Sequence, residues 1–200
     1  MKNNKFMMIV SILLILVMLI GTTFSYFTVS TQSKDNAIRM EAAVIDSTVK
    51  ITALYNDKPL IPMNDSDVEI AYNDTNKCVD IHGYGACQAY NIELLNNGNK
   101  VSYLGSIKFD TDKIENLKYL LLDEEGNEVE GKTLVVSGTD QELGDMFTIN
   151  SGEAKRFRLI IWLSNIDENQ GDTDAAGSFS ADVTYVSTFG NKITGTFSVH

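Results

Sequence analysis

Arg156-Phe157-Arg158-Leu159-Ile160-Ile161-Trp162-Leu163 is the stretch on which the fold turns. It begins as an alternation of charged and apolar side chains and ends with four apolar residues in a row. A strand with one wet face alternates, whereas a strand covered on both faces does not. The segment therefore reads as a central strand with Trp162 packed on one side. Working outward, period-two runs recur. Phe179, Ala181, Val183 and Tyr185 alternate with Ser180, Asp182 and Thr184, and Tyr90, Ile92 and Leu94 with Asn91 and Glu93. Val49, Ile51, Ala53 and Tyr55 alternate with Lys50 and Thr52. Turn residues separate the runs. Asn97-Gly98 reads as a hairpin turn between Tyr90–Leu95 and Val101–Phe109. Glu125-Gly126-Asn127 divides Leu117–Leu122 from Glu128–Val136, and Gly190-Asn191 precedes the last run, Ile193–Val199. Around nine short strands predict an all-β fold, an antiparallel sandwich of jelly-roll or Ig-like kind. Asp110–Leu117 and Asp140–Met146 read as single helical turns. No repeat of fixed period is visible.

Composition sets the outer limits. Two hundred residues, 44% apolar and 22% charged, suffice for one domain plus a targeting segment. The formal charge is −11, from 16 basic and 27 acidic residues, so nucleic acid is not an expected partner, because phosphates need a basic face. Two prolines exclude a proline-rich stalk. With two histidines, His82 and His200, and two cysteines, Cys78 and Cys87, a zinc site of four close Cys and His ligands is excluded. No G-x-S-x-G elbow and no H-E-x-x-H helix occurs. Glycoside hydrolysis needs only two carboxylates, but nothing singles out a pair. No catalytic residue is named, and the expectation is a non-enzyme.

The N-terminus gives an address. Met1-Lys2-Asn3-Asn4-Lys5 precedes an apolar run from Phe6 to Ile20, broken only by Ser11. A short basic segment, a hydrophobic helix and then small residues at Thr23 and Ser25 form a secretory signal. Residues 1–25 are the leader, with cleavage between Ser25 and Tyr26; residues 26–40 form an N-terminal arm and 41–200 the sandwich. The competing reading is a single-pass membrane anchor. Fifteen helical residues span about 22 Å, short of the roughly 30 Å hydrocarbon layer, and Gly21–Phe27 would make up the difference. A type IV pilin would carry its processing site before the helix and an early Glu, and neither is present. Cleavage removes Lys2 and Lys5 and no acid, leaving 14 basic against 27 acidic residues, a net −13. Copies with such surfaces repel one another at low salt.

Two local features invite chemistry. Cys78-Val79-Asp80-Ile81-His82-Gly83-Tyr84-Gly85-Ala86-Cys87 closes most simply as a disulfide loop in an exported chain with no other cysteine. Free thiols, or a Cys/His pair with His82, are the alternatives. Asp167-Glu168-Asn169-Gln170-Gly171-Asp172-Thr173-Asp174 is a dense oxygen-ligand loop. Asp167, Glu168, Asn169, Asp172 and Asp174 would suit calcium, which takes six to eight oxygens, although the loop lacks EF-hand spacing. Clustered acids in a loop are more often simply solvated. No other cofactor is expected.

Gly21-Thr22-Thr23-Phe24-Ser25-Tyr26-Phe27-Thr28, followed by Ser33-Lys34-Asp35-Asn36-Ala37, is similar to the leader and mature start of the camelysin/TasA family. These are Firmicute cell-surface and biofilm-matrix proteins with leaders cut by a signal peptidase of the SipW type. Phe157–Leu163, the acidic loop and Gly177–Val183 resemble the family's closing strands. The cysteine loop resembles one in relatives from anaerobic gut Firmicutes. The resemblance implies a jelly roll that polymerises into extracellular fibres, the freed N-terminal segment adding a strand to the next copy. The donor would run from Tyr26 to about Arg39, with Tyr26, Phe27, Val29, Ala37 and Ile38 as its apolar members. An ordinary flexible N-terminus is the plain alternative. The implied partners are further copies of the chain, the signal peptidase and cell-wall or matrix components. The protease label in the family name does not carry over, since no metal-binding motif is present. Two further functions stay open: a membrane-held monomeric binding module, calcium-dependent or not, and a carboxylate-based hydrolase.

Overall fold

The central strand of the sequence reading is β8 (Glu153–Leu163), the middle member of a five-stranded antiparallel sheet. Its neighbours are β2 (Gln88–Asn96) and β4 (Leu117–Leu122), with β1 (Ser47–Tyr55) and β5 (Glu128–Leu134) at the edges. A second sheet runs β10 (Lys192–Val199), β9 (Ser178–Ser187), β3 (Val101–Asp112), β6 (Asp140–Glu142), and β7 (Phe147–Ile149) also pairs with β3. One helix, α1 (Asp65–Thr75), lies between β1 and β2 in sequence. The computed structural model describes residues 46–55, 60–75, 78–80, 82–166 and 177–199. By backbone contacts the chain divides into Met1–Ala42 and Ala43–His200, and every described residue belongs to the second unit. The signal helix lies outside the described residues.

β2-β8-β4-β5 in one sheet and β9-β3-β6 in the other interleave as in a jelly roll, because the chain keeps crossing between sheets. Alternation dictates what fills the space between them. Tyr90, Ile92 and Leu94 of β2 and Phe157, Leu159 and Ile161 of β8 are buried against Tyr103, Ile107 and Phe109 of β3 and Phe179, Val183 and Tyr185 of β9. Each such side chain contributes about 1.5–3 kcal/mol on full burial. Gly105 pairs with Tyr185, and a Cβ there would lie 2.9 Å from the Tyr185 ring.

The Glu125–Asn127 and Gly190–Asn191 turns close true hairpins, β4–β5 and β9–β10, with Gly126 and Gly190 both at φ +86°. Asn97-Gly98 does not. β2 pairs with β1 and β8, β3 pairs with β9, β6 and β7, and the turn carries the chain across the core. The two apolar runs meet face to face, so they cannot also lie side by side. Buried Asn96 organises this corner: its side-chain amide donates to the Asn99 carbonyl at 2.8 Å and its Oδ1 accepts from Gly98 N at 3.1 Å. The Asn97 and Gly98 amides turn to the Asp46 carbonyl, at 2.7 and 3.1 Å.

Three other expectations need correction. Asp110–Asp112 finishes β3, and Lys113–Asn116 is irregular, with Lys113 and Asn116 at positive φ, not a helical turn. Asp140–Glu142 is a strand on β3, since Gln141 bridges to the Leu134 carbonyl and the Val136 amide, 2.9 and 3.0 Å away. Val49, Ile51, Ala53 and Tyr55 do not share a face. A register shift between Ala53 and Tyr55 sends Val49 and Ile51 to the main core and Tyr55 to a second cluster behind the first sheet.

Candidate functional site

That second cluster is where β8 loses its alternation. Ile160 and Trp162 point away from the main core and join Leu120 and Leu122 of β4 and Ala89 of β2. Four large apolar side chains on an outer face demand a cover, and the excursion between β1 and β2 supplies it. The excursion is anchored by bridges from Leu60 to Gly85 and from Met63 to Ser164. Asn64 then starts α1, its carbonyl accepting from Asp67 N and Val68 N, and its side chain donating to Asp67 at 3.1 Å. Asp65 and Asp67 place negative charge at the helix's positive end. Val68, Ala71 and Tyr72, at i, i+3 and i+4, are buried, with Val68 and Tyr72 in the cluster. Cys78 and Cys87 are joined, with Cα atoms 4.8 Å apart, and close the cover beside β2.

Polar contacts fasten α1 down. Lys118 Nζ donates to Asp65 Oδ2 at 2.9 Å, and Trp162 Nε1 to Asp65 Oδ1 at 3.1 Å. Lys132 of β5 pairs with Glu69. Arg158 donates to the Tyr72 hydroxyl, its guanidinium 5.7 Å from the ring centre. Partial burial works to raise the Asp65 pKa, but the Lys118 and Trp162 hydrogen bonds and the charges of Lys118 and Lys132 outweigh it and hold the carboxyl below its ordinary 3.8. The Lys132 ammonium is held above its ordinary range, chiefly by its hydrogen bond to Glu69, with the charges of Glu69, Asp65 and Glu128 adding to it.

Between α1 and the sheet remains a cleft of about 220 Å³. Leu120, Leu122, Ile160 and Trp162 form its floor, Val68 and Tyr72 one wall, and Asp65, Glu69, Glu128 and Lys132 its rim. Such a site can hold a small, partly apolar ligand by burial and by charge. Nothing in it pairs a nucleophile with a base.

Of the residues singled out from sequence, Cys78 and Cys87 form the expected bond. Asp80 Oδ1 accepts from the backbone amides of His82 and Tyr84 at 2.9 and 2.7 Å, and His82 is an exposed turn residue. Ser25, Tyr26, Phe27, Val29, Ala37 and Ile38 lie outside the described residues, as do Asp167, Glu168, Asn169, Asp172 and Asp174. Among the described residues no three His, Cys, Asp or Glu side chains are grouped to hold a metal, and no helix is long and apolar enough to cross a membrane. The sequence reading missed α1 and with it Asp65, Glu69, Tyr72 and Lys132. The available signal was Asn64, the two acids after it, and Val68, Ala71 and Tyr72 at helical spacing.

No protein-family model and no curated protein matches the chain. Among solved structures it is similar to Spo0M, a sporulation control protein of Bacillus subtilis. The identity is 8% and the TM-score 0.36, covering 76% of this chain and about half, 48%, of that one. A conjugative transposon lipoprotein from Bacteroides eggerthii overlaps at 14% identity and TM-score 0.37, covering 77% of this chain and 96% of that one. A family 123 glycoside hydrolase from Clostridium perfringens overlaps at 11% and 0.36, over 76% of this chain and 27% of its own. Overlaps this loose say nothing about function. The sandwich rests on its own strand pairing.

Proposed function

We propose that the chain is an exported, non-enzymatic surface or matrix subunit of the camelysin/TasA kind, which polymerises after leader removal by N-terminal strand donation. One observation carries the reading. β10 is an edge strand that pairs only with β9 among the described residues. Lys192–Val199 has no proline and only one charge, Lys192 at its start. Edge strands that must stay alone are usually guarded by charge or proline, as β5 is by Glu128, Glu130 and Lys132. An unguarded edge suits an incoming strand. The donor would be Tyr26 to about Arg39, the partner a second copy, and the place of work the cell surface or its matrix.

Electron microscopy of Tyr26–His200 beside the same protein with a short N-terminal extension tests this. Filaments are expected only from the free Tyr26 terminus, favoured by added salt, which screens the net −13. Deleting Tyr26–Arg39 should abolish filaments and leave the fold intact. Filaments that persist in the deletion, or monomers in every condition, would overturn the reading. The cleft beneath α1 favours a second reading, a monomeric surface binding module held in the membrane by residues 6–27, with or without calcium on the 167–174 loop.

A further inference from the structure

The rim of the cleft beneath α1 holds more negative than positive charge. Asp65 is matched by Lys118 and Glu69 by Lys132. Glu128, on the same rim, makes no ion pair among the described residues. Behind these charges the floor is apolar. The aromatic polar atoms there are already committed, Trp162 Nε1 to Asp65 and the Tyr72 hydroxyl to Arg158. A sugar, which needs donors and acceptors for each hydroxyl, finds few. An anion would have to break the Lys132–Glu69 pair and then sit beside a surplus carboxylate. A cation with an apolar body meets neither obstacle. At about 220 Å³ the space lies below the roughly 300–1,000 Å³ of pockets for drug-sized molecules.

We propose that this cleft binds a small free amine, its protonated nitrogen between Glu128 and Glu69 and its apolar body on Leu122, Ile160 and Trp162. The mouth already holds one ammonium in this way, that of Lys132. The site goes beyond the proposed structural role and does not depend on it, since neither β10 nor the N-terminal arm lines it.

Trp162 is the chain's single tryptophan and forms part of the floor, so its fluorescence reports occupancy directly. The full chain is titrated with phenethylamine, phenylacetate and benzyl alcohol. A saturable change is expected with phenethylamine, weakened by added salt, and no saturation with phenylacetate at tenfold higher concentration. Benzyl alcohol should bind at least fivefold more weakly than the amine. Glu128→Gln, an exposed substitution, should weaken the amine at least fivefold with an unchanged circular dichroism spectrum. Equal binding of amine and acid, an unaltered affinity in Glu128→Gln, or no saturable response to the amine would each overturn the assignment. Filament formation is scored separately, so either result leaves the polymerisation test standing.

Discussion

The two sheets present the same kind of inner face and very different outer ones. Behind the first sheet, Leu120, Leu122, Ile160 and Trp162 are sealed by α1 and the disulfide loop. Behind the second, hydroxyls face outward in pairs: Thr184 with Thr194 at 3.0 Å, Ser102 with Thr148 at 2.7 Å, and Thr196 donating to Asp182 at 2.7 Å. β9 satisfies period two throughout and needs no cover. β8 breaks it after Leu159, and the chain answers with the excursion of residues 56–87 between two strands that are themselves adjacent, where a hairpin loop of two to five residues would be enough. A sandwich needs one core, and this one carries a second, with a cleft and a polar rim.

Breaking the covered face should cost most. Trp162→Ala removes the largest buried side chain and should lower unfolding free energy by about 3–5 kcal/mol in urea titrations. A loss near zero would mean that the cover contributes nothing. Replacing Cys78 and Cys87 together by Ser frees a ten-residue loop and should cost about 2.5–3 kcal/mol on the chain-entropy view. Gly105→Ala tests the shared inner face. Its Cβ would meet the Tyr185 ring at 2.9 Å and Leu143 Cβ at 3.2 Å, for an expected loss of about 1–3 kcal/mol.

Asp65→Asn weakens one fastening of α1 and, at a partly exposed site, should cost about 1 kcal/mol. Because the folded state depresses this carboxyl below 3.8, its contribution is complete above that value and is lost as pH falls through the lower folded value. The native and Asp65→Asn chains should therefore converge in stability below about pH 4; a constant gap down to pH 2 would refute the charge-based fastening. Thr194→Ala, on the bare face, should change stability by less than about 0.5 kcal/mol.

The strands were legible because burial on one side writes itself into the sequence at period two, and β8 because burial on both sides erases that period. What pairs with what was not legible at Asn97-Gly98. The dipeptide marks a reversal of the chain, but only the arrangement of the apolar faces decides whether the next strand lies beside its predecessor or opposite it. The helix hid for another reason. Val68, Ala71 and Tyr72 are only three buried positions, set among Asp, Asn, Ser and Thr, residues that fit a loop equally well. The cleft followed the helix into obscurity, since Asp65, Lys118 and Lys132 converge only through tertiary structure. The bulge after Ala53 left no local mark.

β1 and β10, the strands through which the chain enters and leaves this fold, are edges of opposite sheets. Each has a single hydrogen-bonded neighbour among the described residues, and Val49 and Ile51 lie where a Cβ on Gly195 would meet them at 3.1 Å. Mechanically, that corner is the seam. A pull applied before β1 and after β10 does not reach the middle of either sheet first. It loads an apolar contact between two sheets, which parts side chain from side chain before any central hydrogen bond is strained.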